Sequence, residues 1–354
     1  MSFQMLIEPL GETIEVEEGQ TILDAALRQG IYLPHACGHG LCGSCKIEVI
    51  EGEVDHGNAN IFALMEFERD NGKTLACCAT LLDDIEIEAE IDEEPDAEMI
   101  PVEDHVTQVS RIVDLTPTVK AIFLKLDSTL DFQPGQYIQL QIPNVDGTRA
   151  FSIANAPQDI KATGDLELNI KLVKGGAGTT WLHEQLKVGD KLTLSGPYGR
   201  FFVRKSAKLP MLFLAGGTGL SSPRSMIKDI LSGGCELPII LIYGQRNKGE
   251  LYYHDELMQL SLEHSNFKYV PSLSEPSPDD NWEGAIGFVH DVAVEYFNGD
   301  LSGQKAYLCG PPVMIESCIS SLMQGRLFER DIYAEKFISA ADTTEQRSPL
   351  FKHI

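Results

Sequence analysis

A chain of 354 residues with an apolar fraction of 43% is too long for one small core and predicts two or three domains. Its net charge of −25 argues against nucleic acid or anionic lipid as a partner, and no apolar run approaches the ~20 residues of a membrane helix. The start lacks a charged leader with an apolar core, and the eight cysteines do not form a secreted disulfide framework, so a cytoplasmic protein is expected.

Residues 3–8 and 13–17 alternate apolar and polar in the manner of a hairpin, and 21–29 reads as a short helix begun by Thr21 and ended by Gly30. Cys37-Gly38-His39-Gly40-Leu41-Cys42-Gly43-Ser44-Cys45 follows, and Cys77 and Cys78 come later. This C-x4-C-x2-C spacing with a distant cysteine is the plant-type pattern for a 2Fe-2S cluster. Gly38, Gly40 and Gly43 let the backbone turn N–H groups towards the sulfurs. A structural zinc site is the alternative, but zinc modules pair two C-x2-C knuckles or add histidines. Cys37, Cys42 and Cys45 are thus three metal ligands, with the fourth open between Cys77 and Cys78, and His39 is read as a solvated loop residue. Leu75-Ala76-Cys77 resembles the Leu-x-Cys of plant-type ferredoxins, which favours Cys77. A strand over 46–51, a helix over 62–69 and a strictly alternating strand over 85–91 complete a β-grasp-like domain over 1–92.

Acidic residues with Pro95 and Pro101 make 93–101 a linker. Short strands over 120–126, 137–142 and 166–172 predict an antiparallel β-barrel domain spanning 102–205. Beyond it the pattern is strand, glycine loop, helix. Strands over 211–215, 238–243, 267–270 and 305–309 predict a parallel-sheet nucleotide-binding domain over 206–354. The fold class is therefore multidomain, α+β followed by α/β. The charge is uneven: residues 1–100 hold 23 acidic against 4 basic side chains, net −19, and the remainder 30 against 24, net −6. Such a face steers a domain onto a basic partner, although solubility alone accounts for it equally well.

Pro134-Gly135-Gln136-Tyr137, then Arg149-Ala150-Phe151-Ser152, then Gly175-Gly176-Ala177-Gly178-Thr179-Thr180-Trp181-Leu182 resemble in order the signatures of the ferredoxin-NADP reductase superfamily, whose barrel binds FAD. The resemblance implies that Arg149 pairs with the pyrophosphate. Gly175, Gly176 and Thr179 open a helix towards it, and Ser152 sits near flavin N5. Gln136, Tyr137 and Phe151 then belong to the cofactor site, Phe151 replacing the usual tyrosine. Gly216-Gly217-Thr218-Gly219 and Cys309-Gly310-Pro311-Pro312 resemble that superfamily's nucleotide loop and nicotinamide-side motif. Glu250, just past the second strand, resembles the acidic position of NADH users, where a carboxylate accepts from a ribose diol and repels a 2'-phosphate, with Arg246 and Lys248 close by. Glu335-Lys336-Phe337 resembles the Glu-x-aromatic that covers the flavin, but here 17 residues follow Phe337. Ser152, Cys309 and Glu335 are the catalytic candidates.

NADH gives up two electrons as hydride, a 2Fe-2S cluster takes one, and flavin does both, so the modules read as a two-to-one electron converter. Their order over the whole chain resembles the reductase components of bacterial multicomponent oxygenases, most of all those of phenol hydroxylases. The resemblance is carried by Ala36 to Gly40, Leu75 to Ala79, Leu194 to Gly199, Ala306 to Pro312 and Leu322 to Asp331. It implies a diiron hydroxylase partner that converts phenol to catechol, reached through the acidic ferredoxin face. The chain carries no paired Glu-x-x-His ligand set of its own. Two alternatives stand beside this reading: an oxygenase for toluene, benzoate or methane, and a non-enzymatic redox sensor, for which no basic DNA-binding patch speaks.

Overall fold

The computed structural model describes residues 2–35, 38, 40–91 and 94–337. Cys37, His39 and Glu93 lie outside the described residues. The chain divides into two compact units after Glu103. Among the described residues no helix is long and apolar enough to cross a membrane.

In the first unit β1 (Ser2–Glu8) and β2 (Glu12–Glu17) form an antiparallel hairpin, followed by α1 (Ile22–Arg28). Then come β3 (Lys46–Glu51), β4 (Val54–Asp55), α2 (Glu66–Asp70), β5 (Lys73–Leu75), β6 (Thr80–Leu81) and β7 (Ile85–Glu88). The main sheet has the order β2-β1-β7-β3-β5, with β1 and β7 parallel, while β4 and β6 pair separately. Alternation decides the faces: Met5, Ile7, Ile14, Val16, Ile85 and Ile87 point inward together and are buried under Ile22, Leu23, Ala25 and Ala26 of α1. Thr21 caps that helix, its hydroxyl accepting from Asp24 N at 3.3 Å. This is the β-grasp-like arrangement that the sequence predicts.

Two expected elements are shorter. The helix expected over 62–69 begins only at Glu66, because Met65 is extended (φ −73°, ψ 156°). Asn60 also holds the preceding residues in a turn: its side-chain oxygen accepts from Phe62 N, and its backbone oxygen from Ala63 N and Leu64 N. The strand expected over 85–91 stops at Glu88, where its parallel partner β1 ends at Glu8.

In the second unit β8 (Glu103–Asp114), β9 (Val119–Leu126), β10 (Tyr137–Gln141), β11 (Thr148–Ser152), β12 (Asp165–Lys171) and β13 (Lys191–Tyr198) form one sheet in the order β11-β10-β13-β8-β9-β12. α3 (Pro157–Thr163) and α4 (Ala177–Glu184) lie between its strands in sequence. The sheet curls on itself: Ile153 bridges Leu168 and Ala154 N donates to Glu167 O at 2.9 Å, which joins edge strand β11 to edge strand β12. Ile122, Leu124, Ile138, Leu140, Leu166 and Leu168 fill the interior.

Downstream, β14 (Met211–Gly216), α5 (Ser221–Ser232), β15 (Ile239–Gln245), α6 (His254–Glu263), β16 (Phe267–Leu273), β17 (Ala285–Ile286), α7 (Val289–Tyr296), β18 (Lys305–Gly310), α8 (Pro312–Gln324) and β19 (Ile332–Lys336) build an all-parallel sheet in the order β17-β16-β15-β14-β18-β19. β14 is buried at every position, as expected of a strand covered on both faces. The two cores, around Phe213 and Tyr243 on one face and Leu212 and Ile242 on the other, continue the period of two through the sheet. The edge strands β17 and β19 are additional to the sequence reading. β17 has two residues and β19 is half-buried along most of its length, so neither leaves a continuous apolar run.

Candidate functional site

The pairing of β3 with β5 sets Lys46 opposite Leu75, and Ala76 N donates to Cys45 O at 2.9 Å. Cys45 immediately precedes β3, so this register carries the third loop cysteine to the region of Cys77. Gly40 N donates to Cys77 Sγ at 3.3 Å and Ser44 N to Cys42 Sγ at 3.5 Å. Gly40 has φ +73°, and a Cβ there would stand 2.6 Å from Cys78 Sγ and 3.3 Å from Ala59 Cα. Glycine is required on both counts. Hydrogen bonding from Cys45 pulls the Cys77 thiol down to about 6, and the same bond together with burial raises Cys45. Burial pushes Cys78 up to about 12. Cys77 is half-buried and accepts a backbone N–H, while Cys78 is buried with its sulfur 3.6 Å from that of Cys77. Cys37 lies outside the described residues, and among those described no group of three such side chains closes on a single metal ion. The backbone N–H groups aimed at sulfur and the enforced glycine fit a loop wrapped round a 2Fe-2S cluster.

In the barrel Arg149 is exposed, and its Nη1 donates to the backbone oxygens of Asp146 and Thr148, each at 2.9 Å. It lies across the start of α4: a Cβ on Gly178 would be 3.4 Å from Arg149 Cγ. Gly175 has φ +78°, Gly176 is the N-cap, and Thr179 Oγ1 accepts from Val173 N at 3.1 Å, stapling the turn. An open hollow of about 330 Å³ adjoins, lined by Asn144, Val145, Gly175, Ala177, Thr180, Trp181 and Gln185. Guanidinium, helix N-terminus and hollow together suit a dinucleotide pyrophosphate. Tyr137 stacks on Tyr198 with centroids 5.6 Å apart. Gln136 is held at both ends, its Oε1 accepting from Gln133 N at 2.7 Å and its Nε2 donating to Gly199 O at 3.1 Å. Phe151 is half-buried against the barrel core.

Where barrel and parallel sheet meet, four polar groups converge. Glu335 Oε2 accepts from Ser222 Oγ at 2.9 Å, Ser152 Oγ at 3.2 Å and Cys309 Sγ at 3.5 Å. They come from the end of β11, the start of α5 and two adjacent strands whose register sets Cys309 opposite Glu335. Burial raises the Glu335 carboxyl above its usual range, against the pull of the three donors, and burial followed by the neighbouring carboxylate raises the Cys309 thiol. Gly216 to Gly219 passes through a 3₁₀ turn into α5. A Cβ on Gly219 would lie 2.1 Å from Cys309 O, so the two motifs touch backbone to backbone there, and one on Gly216 would lie 2.3 Å from Met314 Sδ. Gly217, at φ +60° with nothing within 4 Å, faces open space. Pro311 caps α8 and Phe337 N donates to Gly310 O at 3.0 Å.

Three families match in succession: residues 5–82 a 2Fe-2S iron-sulfur cluster binding domain, 107–203 an oxidoreductase FAD-binding domain and 213–319 an oxidoreductase NAD-binding domain. A phenol hydroxylase P5 protein of Acinetobacter pittii is 55% identical over 356 residues, covering 100% of both chains. The reductase component of phenol 2-monooxygenase from Pseudomonas sp. (strain CF600) gives the same identity and coverage. The chain belongs to the family of oxygenase reductase components. Its structure is similar to that of the Amycolatopsis reductase GcoB, with TM-score 0.85 and 32% identity over 95% of this chain and 98% of that one.

This oxygenase reductase has two polar arrangements that its sequence did not announce. Glu250 Oε2 accepts from Thr116 Oγ1 at 2.9 Å and Thr118 Oγ1 at 2.6 Å, both from the β8–β9 turn of the barrel. Arg224 on α5, 6% exposed, donates through Nη1 to Ala154 O at 2.7 Å and to Glu167 at 3.2 Å, and through Nη2 to Glu256 at 3.0 Å. Its guanidinium stands 4.0 Å over the ring of Tyr253, whose hydroxyl donates to Glu167. Burial opposes the charge, but the two carboxylates outweigh it and raise the guanidinium above its ordinary range. An arginine among the small residues that follow a glycine loop was the available signal. Its partners lie 57 and 32 residues away, beyond any local pattern.

Proposed function

We propose that this oxygenase reductase oxidises NADH and delivers the electrons singly to the diiron hydroxylase component of a phenol hydroxylase. The convergence of Ser152, Ser222 and Cys309 on Glu335, at the junction of flavin-binding barrel and nucleotide-binding sheet, carries the reading. FAD in the barrel supplies the conversion between hydride and single electrons, and a 2Fe-2S cluster the one-electron outlet.

The chain's own groups have these roles. Arg149 and the N–H groups of Ala177, Gly178 and Thr179 hold the FAD pyrophosphate, at the turn that Gly175 and Gly176 shape. Tyr137, Phe151 and Phe337 supply ring contacts, and Gln136 fixes the turn that presents Tyr137. Gly216, Gly217, Thr218 and Gly219 receive the NADH pyrophosphate, while Gly310 and Pro311 shape the nicotinamide side. Glu250 keeps Oε1 for the ribose diol while its other oxygen anchors to the barrel, which selects NADH over its 2'-phosphorylated form. Glu335 is a proton-holding carboxylate, and Ser152 and Cys309 are the donors that position it next to the reacting atoms. Cys37, Cys42, Cys45 and Cys77 ligate the cluster. The domains are 1–92, 102–205 and 206–354 with 93–101 as linker, and the protein works in the reducing cytoplasm.

Anaerobic titration tests this. NADH is expected to bleach the flavin and then the cluster, giving a 2Fe-2S paramagnetic signal, with NADPH much less effective. A colourless zinc protein overturns the cluster assignment, and equal response to NADPH overturns that of Glu250. Turnover with purified phenol, toluene, benzoate and methane oxygenase components fixes the acceptor, the phenol component being expected to give the highest rate.

A further inference from the structure

The first unit carries an apolar patch that its own core does not account for. Ile61 is 68% exposed, Phe62 84%, Met65 48% and Phe67 61%, and Leu41 in the cysteine loop is 43% exposed. α2, which bears Phe67, buries none of its residues. Exposure on this scale within one short segment marks an interaction site more often than chance. The segment is nevertheless fixed in place. Asn60 N donates to Gly40 O at 3.0 Å, Lys46 Nζ pairs with Glu68 at 2.6 Å, and Arg69 Nη2 donates to Ala59 O at 3.2 Å. Gly40 and Lys46 bracket Cys42 and Cys45 in sequence, so these bonds tie the apolar segment to the cysteine loop itself.

We propose that Ile61, Phe62, Met65 and Phe67, with Leu41, are the docking surface through which the ferredoxin unit hands electrons to the oxygenase, and that the oxygenase presents an apolar hollow rimmed by lysine and arginine. The proposal rests on the assignment of the chain as an oxygenase reductase. Charge chooses the occupant. The patch is interleaved with exposed Glu66 and Asp70 and sits in a stretch of the chain whose first hundred residues carry net −19. A second copy repeats the same acidic face and gains nothing from contact. A basic partner gains at the rim, while burial of Phe62 and Phe67 supplies the affinity at the centre.

The test is the full-length protein carrying Phe62→Ser and Phe67→Ser, loaded with its cofactors. Two quantities are measured: the rate at which NADH reduces the cluster in a single turnover, and NADH consumption as a function of added purified phenol hydroxylase oxygenase component. The first is expected to stay within about twofold of wild type, and the oxygenase concentration for half-maximal rate to rise on the order of tenfold or more. Glu66→Lys with Asp70→Lys is expected to weaken coupling in the same direction and to reduce its dependence on salt. An unchanged oxygenase dependence in the serine variant overturns the proposal, and so does a parallel fall in cluster reduction, which would give the patch to electron transfer within the chain. Failure of the wild-type protein to drive any oxygenase removes the functional assignment itself, and the docking proposal with it.

Discussion

Glu335, half-buried on β19, shows how much chemistry a single carboxyl concentrates. Its pKa is raised in the folded chain by burial, so folding favours its protonated form. The stability it contributes is complete below the unfolded value of about 4.3 and is lost as pH climbs through the raised folded value. Melting temperatures across that window are expected to fall with rising pH in the wild type and to be flatter in Glu335→Gln, which keeps a hydrogen-bonding side chain while removing the titration. At the cysteine loop, Cys77→Ala is expected to abolish the visible cluster spectrum, whereas Cys78→Ala retains it; iron and sulfide content decides. Gly219→Ala would bring a methyl to 2.1 Å from Cys309 O, and overpacking of that kind costs roughly 1–3 kcal/mol, to be read from urea denaturation along with loss of NADH binding. These positions were legible because short motifs carry them. Ser222 was not, since a serine at a helix start is ordinarily a cap, and only the fold brings Glu335 to it.

Strands buried on both faces, such as β14 and β15, write themselves as apolar runs, and α1 announces itself by Thr21 and Gly30. α2 was also expected, but its start was not legible, because one asparagine can divert three amides from a helix without altering the apolar pattern. The link between α5 and the barrel was invisible for a different reason: a buried ion pair has no period. Arg224→Met would leave Glu167, 4% exposed, without its cation, and stranding one member of such a pair costs about 3–5 kcal/mol. Chemical denaturation is expected to show that loss, with part of it recovered when Glu167→Gln is added. Flavin reduction by NADH should slow in the single variant if α5 sets the approach of the two cofactors.

Over the whole chain, the succession of modules was readable because each changes the grammar of the sequence, from alternation to turn-punctuated strands to strand, loop and helix. Charge was readable too, and it gives a prediction at this scale. Oxygenase-coupled turnover should fall as ionic strength rises past about 0.1 M, where the Debye length is about 10 Å, while reduction of the flavin by NADH changes little; stopped-flow traces in a salt series separate the two.

The Arg224 clamp also bears on how such reductases can be recombined. A cut after Glu103 follows the boundary between the compact units, so a ferredoxin unit is a tradable part. A cut near residue 206 separates Ala154 and Glu167 from Arg224 and Glu256, and the barrel half then inherits the buried Glu167 carboxylate without its cation, while Arg224 keeps only Glu256. Chimeras that exchange barrel and nucleotide sheet as one piece are therefore the ones expected to fold, and lineages that shuffle these modules should move that pair together.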